Sequence, residues 1–501
     1  MSLFVLSLPV ISYYVLRSLY RLYFHPLRKI PGPPIAAITG FHEFYHDVVR
    51  GGKFFWKVEE MHKRYGPIVR INPREVHIID PAMYDEIYAG NSRKRNKDPV
   101  FVSSFASPFS VIATIDHDLH RARRSLLNPF FSKKAVMELS TVLQEKITRL
   151  SWHLERFYAD GTVVALHTAF VGLTGDTITH YLYGQDKGYL SDPDLTKRDF
   201  IWELMFESTN SCHLFRFLPS ILRLIKALPG RWMRLIRPKL AQAYAMQERI
   251  AQQSQNALLN KDSHTSTVGS IYQALTDPSL APEDRTMVRL RDESFILLVA
   301  GTETTASTLT FAVYQLLRDR GMFLRLREEL KQVMPAPCHE PKWSQLEQLP
   351  YLTAIINEAL RLSATPMRPV RVAPSESLQY KQYTIPPGTP ISTISYFIHR
   401  NPQIFPDPNT FRPERWLEAA ARGESLTRYL VPFARGSRIC IGMNLAYAEL
   451  YMTIASIVRR FDLELCDTNP EDMEFVREKI LQRPEKGVWT LKARVVGIVV
   501  E

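Results

Sequence analysis

Residues 433–442 run Phe-Ala-Arg-Gly-Ser-Arg-Ile-Cys-Ile-Gly, the pattern F-x-x-G-x-R-x-C-x-G, and an apolar stretch with helical spacing follows over Leu445–Phe461. Cys440 therefore stands just ahead of a helix. The unpaired N–H groups and positive dipole end of a helix N-terminus stabilise a thiolate at that place. A thiolate is a nucleophile or a metal ligand. The chain has three other cysteines, Cys212, Cys338 and Cys466, and no CxxC pair. That spacing argues against a zinc cage of cysteines, an iron–sulfur cluster and a secreted disulfide framework. The plain alternative for Cys440 is a buried structural thiol, the usual fate of an unpaired cysteine.

Three further constellations bear on the same question. Residues 300–305 read Ala-Gly-Thr-Glu-Thr-Thr inside a helix spanning roughly 284–318. Ala300 and Thr304 share a face at i, i+4. Mid-helix threonines back-bond to carbonyls and bend the helix. An alcohol and an acid at such a bend can hold water and deliver protons. Glu358-Ala-Leu-Arg361 places a carboxylate and a guanidinium on one helix face, and Phe411-Arg-Pro-Glu-Arg415-Trp416 follows about 50 residues later. A second E-x-x-R, Glu474–Arg477, reads as a solvated surface pair. His120-Arg-Ala-Arg-Arg124 opens another helix, for which a solvated basic face is the plain alternative.

The cysteine loop resembles the haem-binding signature of the cytochrome P450 superfamily. The resemblance covers nearly the whole chain, from Phe24-His-Pro-Leu and Pro31-Gly-Pro-Pro to the C-terminus. It implies haem b as cofactor, with Cys440 as the iron ligand and Phe433 shielding the sulfur. Gly436 and Gly442 let the backbone turn and approach the macrocycle, and Arg438 pairs with a propionate. Ala300 and Gly301 are small enough for their helix to pass close to the haem. Thr304 is the alcohol and Glu303 the acid of oxygen activation. Glu358, Arg361 and Arg415 form a buried ion network that fixes the cysteine loop. Where the family often has Trp-x-x-x-Arg, this chain has His120 and Arg124. Imidazole can donate the same hydrogen bond to a propionate, but its charge state becomes a question. Arg371 is a third candidate propionate partner.

The resemblance implies a haem-thiolate monooxygenase. It would insert one oxygen atom of O₂ into an apolar scaffold, with electrons from NADPH through a separate NADPH-cytochrome P450 reductase and cytochrome b5 as a second candidate donor. The opening and residues 53–90 look most like filamentous-fungal microsomal members of secondary metabolism, close to the trichodiene oxygenase group. A terpenoid is then the first candidate substrate, with polyketide and alkaloid scaffolds open. Two alternatives stand beside this. One is a reductase-independent haem-thiolate isomerase or dehydratase, against which the Glu303-Thr304 pair argues. The other is a non-catalytic haem- or lipophile-binding protein. No nucleic-acid motif accompanies the basic residues, so a nucleic-acid partner is not expected.

These residues need elements to position them. Residues 1–16 carry no charge, and Arg17, Arg21, Arg28 and Lys29 follow. This reads as an anchor over 1–24 that Arg17 and Arg21 extend by snorkelling, with the body in the cytosol at the endoplasmic reticulum membrane. Residues 25–34, containing Pro31-Gly-Pro-Pro, read as a stiff hinge. The rest, 35–501, reads as one domain, mainly α with minor β-sheet, the cytochrome P450 fold behind an N-terminal transmembrane anchor. The spacing predicts helices over Lys53–Tyr65, Pro81–Ala89 and most of 117–335. It predicts a hairpin over Ile68–Ile79 and strands near 369–394 and 488–500. The apolar but broken run 99–115 reads as a ligand-facing loop. The apolar–basic stretch 214–235 suits a membrane surface, and 252–282 reads as a linker. The chain carries 63 Lys and Arg against 51 Asp and Glu, a net charge of +12. Arg121, Arg123, Lys133, Lys134, Arg428 and Arg435 are candidates for a patch that meets an acidic reductase surface.

Overall fold

The computed structural model describes residues 2–184, 186–195, 200–220 and 275–500, together with residues 224, 232, 235 and 271. Most of 221–235 and 252–274 lies outside the described residues. Nine helices carry the argument: α1 (Ser2–Tyr23), α2 (Phe54–Tyr65), α3 (His117–Leu127), α4 (Ser140–Asp160), α5 (Leu166–Tyr183), α6 (Phe200–Phe217), α7 (Met287–Arg318), α8 (Pro350–Ser363) and α9 (Met443–Arg460). α7 has 32 residues and is about 48 Å long at ~1.5 Å per residue. It is buried on most sides, and α5, itself buried nearly all round, packs along it. α4, α5, α7, α8 and α9 share one large apolar core.

Among the described residues, twelve short strands flank the helices. Those used below are β1 (Ile68–Arg70), β2 (Val76–Ile78), β3 (Asn96–Lys97), β4 (Val163–Ala165), β5 (Arg371–Val372), β6 (Leu378–Tyr380), β7 (Tyr383–Ile385), β8 (Pro390–Ser392), β9 (Phe461–Leu465), β10 (Arg477–Lys479), β11 (Leu481–Arg483) and β12 (Lys492–Ile498). A five-stranded sheet has the order β1-β2-β8-β5-β3, and a three-stranded sheet the order β4-β12-β9. β6 pairs with β7, and β10 with β11, as hairpins. The predicted hairpin is β1–β2, with Ile68 opposite Ile78. α2 starts one residue late because Lys53 is its cap. Pro81–Ala89 splits into a 3-10 turn (Pro81–Met83) and one α turn (Tyr84–Ile87).

Several local expectations change. Within residues 25–34, Leu27 and Ile30 are buried against Ile68, Val76 and Ile78. Arg21 does not snorkel; its guanidinium donates to the Ile38 carbonyl, while Arg70 donates to the Arg21 carbonyl at 2.9 Å. The end of α1 is thereby fastened to the body. Arg477 leaves Glu474 and pairs with Glu485 instead. Arg123 is largely buried and paired with Asp284 at 3.1 Å, so it leaves the proposed basic patch. Among the described residues, the helix apolar and long enough to cross a membrane is α7, which is mostly buried in the body.

Candidate active site

Gly442 caps α9, and the cysteine loop is folded tightly ahead of it. Cys440 N donates to the Phe433 carbonyl at 2.9 Å. The Gly442 N–H reaches the sulfur, as the helix-start argument requires. Gly436 is needed for a specific reason. Its φ is +73°, and a Cβ there would come within 2.1 Å of the Tyr88 carbonyl. Ser437 N then donates to the Ala89 carbonyl at 3.1 Å. Gly436 thus seats the loop on the segment after the Tyr84–Ile87 turn. By contrast, a Cβ on Gly442 would meet open space. Phe433 packs on Tyr447, with ring centres 5.3 Å apart.

Cys440 is an exposed residue. Protein nevertheless surrounds it closely enough that burial pushes the thiol pKa up, against the Gly442 N–H and the Arg124 charge. Without a further positive charge, this thiol stays protonated at neutral pH. A bound metal cation reverses that balance.

The ion network forms as expected and reaches the loop. Glu358 takes Arg361 at 2.7 and 2.9 Å, Arg415 Nε at 3.0 Å and Trp416 Nε1 at 3.0 Å. Both Glu358 and Arg361 are fully buried. Arg361 also donates to the His399 carbonyl at 2.6 Å, and His399 Nε2 accepts from Val431 N at 2.9 Å. His399 accepts as a neutral imidazole, because burial and then Arg361 hold its pKa well below the usual range. Val431 lies two residues before Phe433, whose carbonyl holds Cys440. The chain of contacts therefore runs from Glu358 to the sulfur's own residue.

A cluster of basic groups lies beside the loop. Arg438 is buried and donates to four carbonyls, Arg95 at 3.1 Å, Thr114 at 2.7 Å, Ile115 at 2.7 Å and Asp116 at 3.1 Å. Burial, then Arg371, lowers its pKa to about 9. Arg124 donates to Asn128 and to the Ile439 carbonyl, next to Cys440. Arg371 is buried, donates to Val370 O at 3.2 Å and lies over the Tyr88 ring. His120 is 3% exposed; burial and then Arg438 and Lys97 drive its pKa to about 2. Lys97 completes the cluster. Its ammonium donates to Ile112 O, and burial followed by Arg371, Arg438 and Arg124 depresses its pKa strongly.

Among the described residues, none of these five groups forms an ion pair with a carboxylate. Buried cations without counter-charge are costly. Their donor set fits a cofactor carrying two carboxylates beside a metal held by Cys440. Lys97 escaped sequence reasoning because it ends a run, Arg93-Lys-Arg-Asn-Lys97, that reads as a solvated charge cluster. Its pairing opposite Arg371 brings it to the other basic groups.

On α7, Ala300 and Thr304 are both exposed, although their neighbours Thr302, Glu303 and Thr305 are buried. Thr304 Oγ1 donates to the Ala300 carbonyl at 2.7 Å. The two sequence-predicted partners of this face behave otherwise. A Cβ on Gly301 would meet Ile178 Cγ1 at 2.8 Å, so its small size serves packing against α5 rather than room for a cofactor. Glu303 sits about 100° round the helix from Thr304. Its carboxylate takes Arg483 at 2.7 Å from β11, with His167 of α5 at 3.6 Å. Burial raises its pKa, but Arg483 and then His167 outweigh this and hold it near about 2. In this geometry Glu303 is thus held by Arg483 and His167 rather than facing Thr304.

Comparison with known proteins decides the family. The "Cytochrome P450" family profile matches residues 31–491. The chain belongs to the cytochrome P450 family. It is 44% identical to the cytochrome P450 monooxygenase TRI4 of Trichoderma arundinaceum, over 95% of this chain and 92% of that protein. It is 42% identical to the cytochrome P450 monooxygenase aflU of Aspergillus parasiticus, over 96% of each. It is 41% identical to the conidiogenone synthase PchP450 of Penicillium rubens, over 92% of each. The chain is thus a cytochrome P450 monooxygenase similar to fungal enzymes of secondary metabolism, and its family implies a haem-thiolate cofactor.

Proposed function

We propose that this cytochrome P450 hydroxylates or epoxidises an apolar terpenoid-type scaffold, with electrons from NADPH delivered by a separate reductase. The observation that carries the reading is the joint presence of Cys440 at a helix start and a basic cluster, buried Lys97, His120, Arg371 and Arg438 with half-buried Arg124, that has no carboxylate ion-pair partner among the described residues. When bound, haem b supplies activation of O₂ at iron. Cys440 holds the iron, and Lys97, His120, Arg124, Arg371 and Arg438 receive the propionates. The Glu358–Arg361–Arg415 network keeps the loop in place. Thr304 offers a hydroxyl on the face that meets oxygen, holding a proton at Oγ1 while Ala300 leaves space. Phe433 limits access of water to the sulfur.

Apolar residues support the substrate class. Phe101, Val102, Phe105, Ala113, Ile296 and Val370 form one cluster beside the α7 face. Similarity to TRI4 and to conidiogenone synthase points the same way. We place the chain at the endoplasmic reticulum membrane through α1. Its exposed Val10, Ile11, Val15, Leu16 and Leu19 continue onto exposed Ile35 and Phe41 of the body. Arg121, Lys133, Lys134, Arg428 and Arg435 remain as a proximal basic patch for the reductase, with cytochrome b5 as a second donor.

The test is co-expression with a reductase in a host fed candidate scaffolds, read by mass spectrometry. Products heavier by one oxygen atom, formed only with NADPH, are expected. Isomeric products formed without NADPH would instead support the reductase-independent reaction.

A further inference from the structure

The loop over residues 106–116 has to satisfy its backbone without strand or helix pairing. Its own turns absorb part of the need. Ser110 N donates to Ser107 O, Ala113 N to Ser110 O and Thr114 N to Val111 O, each at 3.2 Å. Two other N–H groups, on alternate residues, cross to α7. Phe109 N donates to Asp292 Oδ2 at 3.1 Å, and Val111 N donates to Glu293 Oε2 at 2.9 Å. Both acids are 1% exposed. Two adjacent buried carboxylates are costly in a helix interior, and a charge-assisted bond to a loop N–H offsets the cost. From α3, Arg123 adds a third hold, donating to Thr114 Oγ1 at 3.1 Å and to Phe109 O at 3.4 Å.

Position on α7 gives this clasp its meaning. Glu293, Ile296, Ala300 and Thr304 follow one another at three- or four-residue steps and so share one helix face. Ile296 belongs to the apolar cluster that includes Ala113 of the loop and Phe101, Phe105 and Val370. The acids therefore fasten the loop about one turn from the apolar wall and about three turns from Thr304.

We propose that Asp292 and Glu293 are positioning residues that clasp Phe109 and Val111 to α7 and so fix the apolar wall against which a substrate lies. The inference rests on the haem-thiolate reading of the site. Arg289 faces Glu293 from α7 with Nη2 at 4.0 Å, Arg123 faces it from α3, Lys97 from β3, and Asp292 adjoins it. Burial raises the Glu293 carboxyl to about 7, with Arg289 the chief opposing charge. The ionised form accepts an N–H more strongly than the acid form. The clasp accordingly tightens as pH rises through about 7.

Hydrogen exchange of the 106–116 peptide in the holoenzyme tests this, alongside spectral binding of imidazole and of bulky 4-phenylimidazole. In Glu293→Ala and Asp292→Ala, loop exchange rises about tenfold, the scale of one lost hydrogen bond to a charged group. The Kd ratio of phenylimidazole to imidazole rises at least roughly threefold through lost preorganisation. Glu293→Gln, which keeps an acceptor, restores most of both. In the wild-type chain, loop exchange corrected for its intrinsic pH dependence slows between pH ~6 and ~8. Unchanged loop exchange in both alanine variants, an unchanged azole ratio despite faster exchange, or a flat corrected rate in the wild type would overturn the proposal. Failure of the wild-type protein to show a thiolate-ligated carbonyl spectrum would instead overturn the reading of Cys440, and leaves the exchange result standing.

Discussion

Lys97 and Arg371 stand directly opposite each other across the β3–β5 pair, Cα partner to Cα partner, and both are buried. Like charges so placed destabilise a sheet unless an anion lies between them. The cofactor's carboxylates are that anion in our account. Lys97→Met is expected to speed haem transfer to an acceptor protein roughly tenfold, about 1.4 kcal/mol, near the lower edge for a hydrogen bond to a charged group. An unchanged transfer rate would remove Lys97 from the cofactor site.

The ion network predicts a different signature. Glu358→Ala leaves Arg361 and Arg415 buried without their carboxylate, which costs about 3–5 kcal/mol. The effect is local as well as global, because His399 links Arg361 to Val431. Thermal unfolding should fall, and the protein that does accumulate should bind haem with a weakened thiolate spectrum. Full stability with a normal spectrum would contradict the linkage.

Glu303 gives a pH test with a defined sign. Its folded pKa lies below its ordinary value, near about 2, chiefly because Arg483 overcomes burial. Such a group contributes stability above its unfolded pKa of ~4.5 and loses it as pH falls toward about 2. Glu303→Gln should therefore lower the urea midpoint at pH ~7, and the gap from wild type should close progressively below pH ~4.5. A gap independent of pH would contradict the ion pair.

Thr304 is separable from that structural effect. Thr304→Ala should keep haem content and stability within ordinary surface-mutation limits, since the residue is exposed. It should raise the peroxide released per NADPH consumed, and Thr304→Ser should restore coupling. Normal coupling in the alanine variant would exclude the hydroxyl from proton delivery.

Local signals carried the chemistry. The cysteine loop, α7 and Glu358–Arg361 are legible because each depends on spacing within one segment or on a motif order along the chain. The hairpin β1–β2 is legible for the same reason. What spacing could not disclose is long-range pairing. Lys97 meets Arg371 only through sheet register, and Glu303 meets Arg483 only because β11 folds back onto α7. The expectation that Glu303 and Thr304 act as neighbours ignored the ~100° per residue of a helix. Gly301 misled similarly: smallness was legible, but the partner that demands it, Ile178, was not.

The central claim is that Cys440 binds haem iron as a thiolate. The direct measurement is the absorption spectrum of the reduced, carbon monoxide-bound protein, wild type against Cys440→Ala. The account predicts the red-shifted band of thiolate ligation in the wild type and its loss, with loss of turnover, in the variant. A thiolate-type band that survives in Cys440→Ala would contradict it.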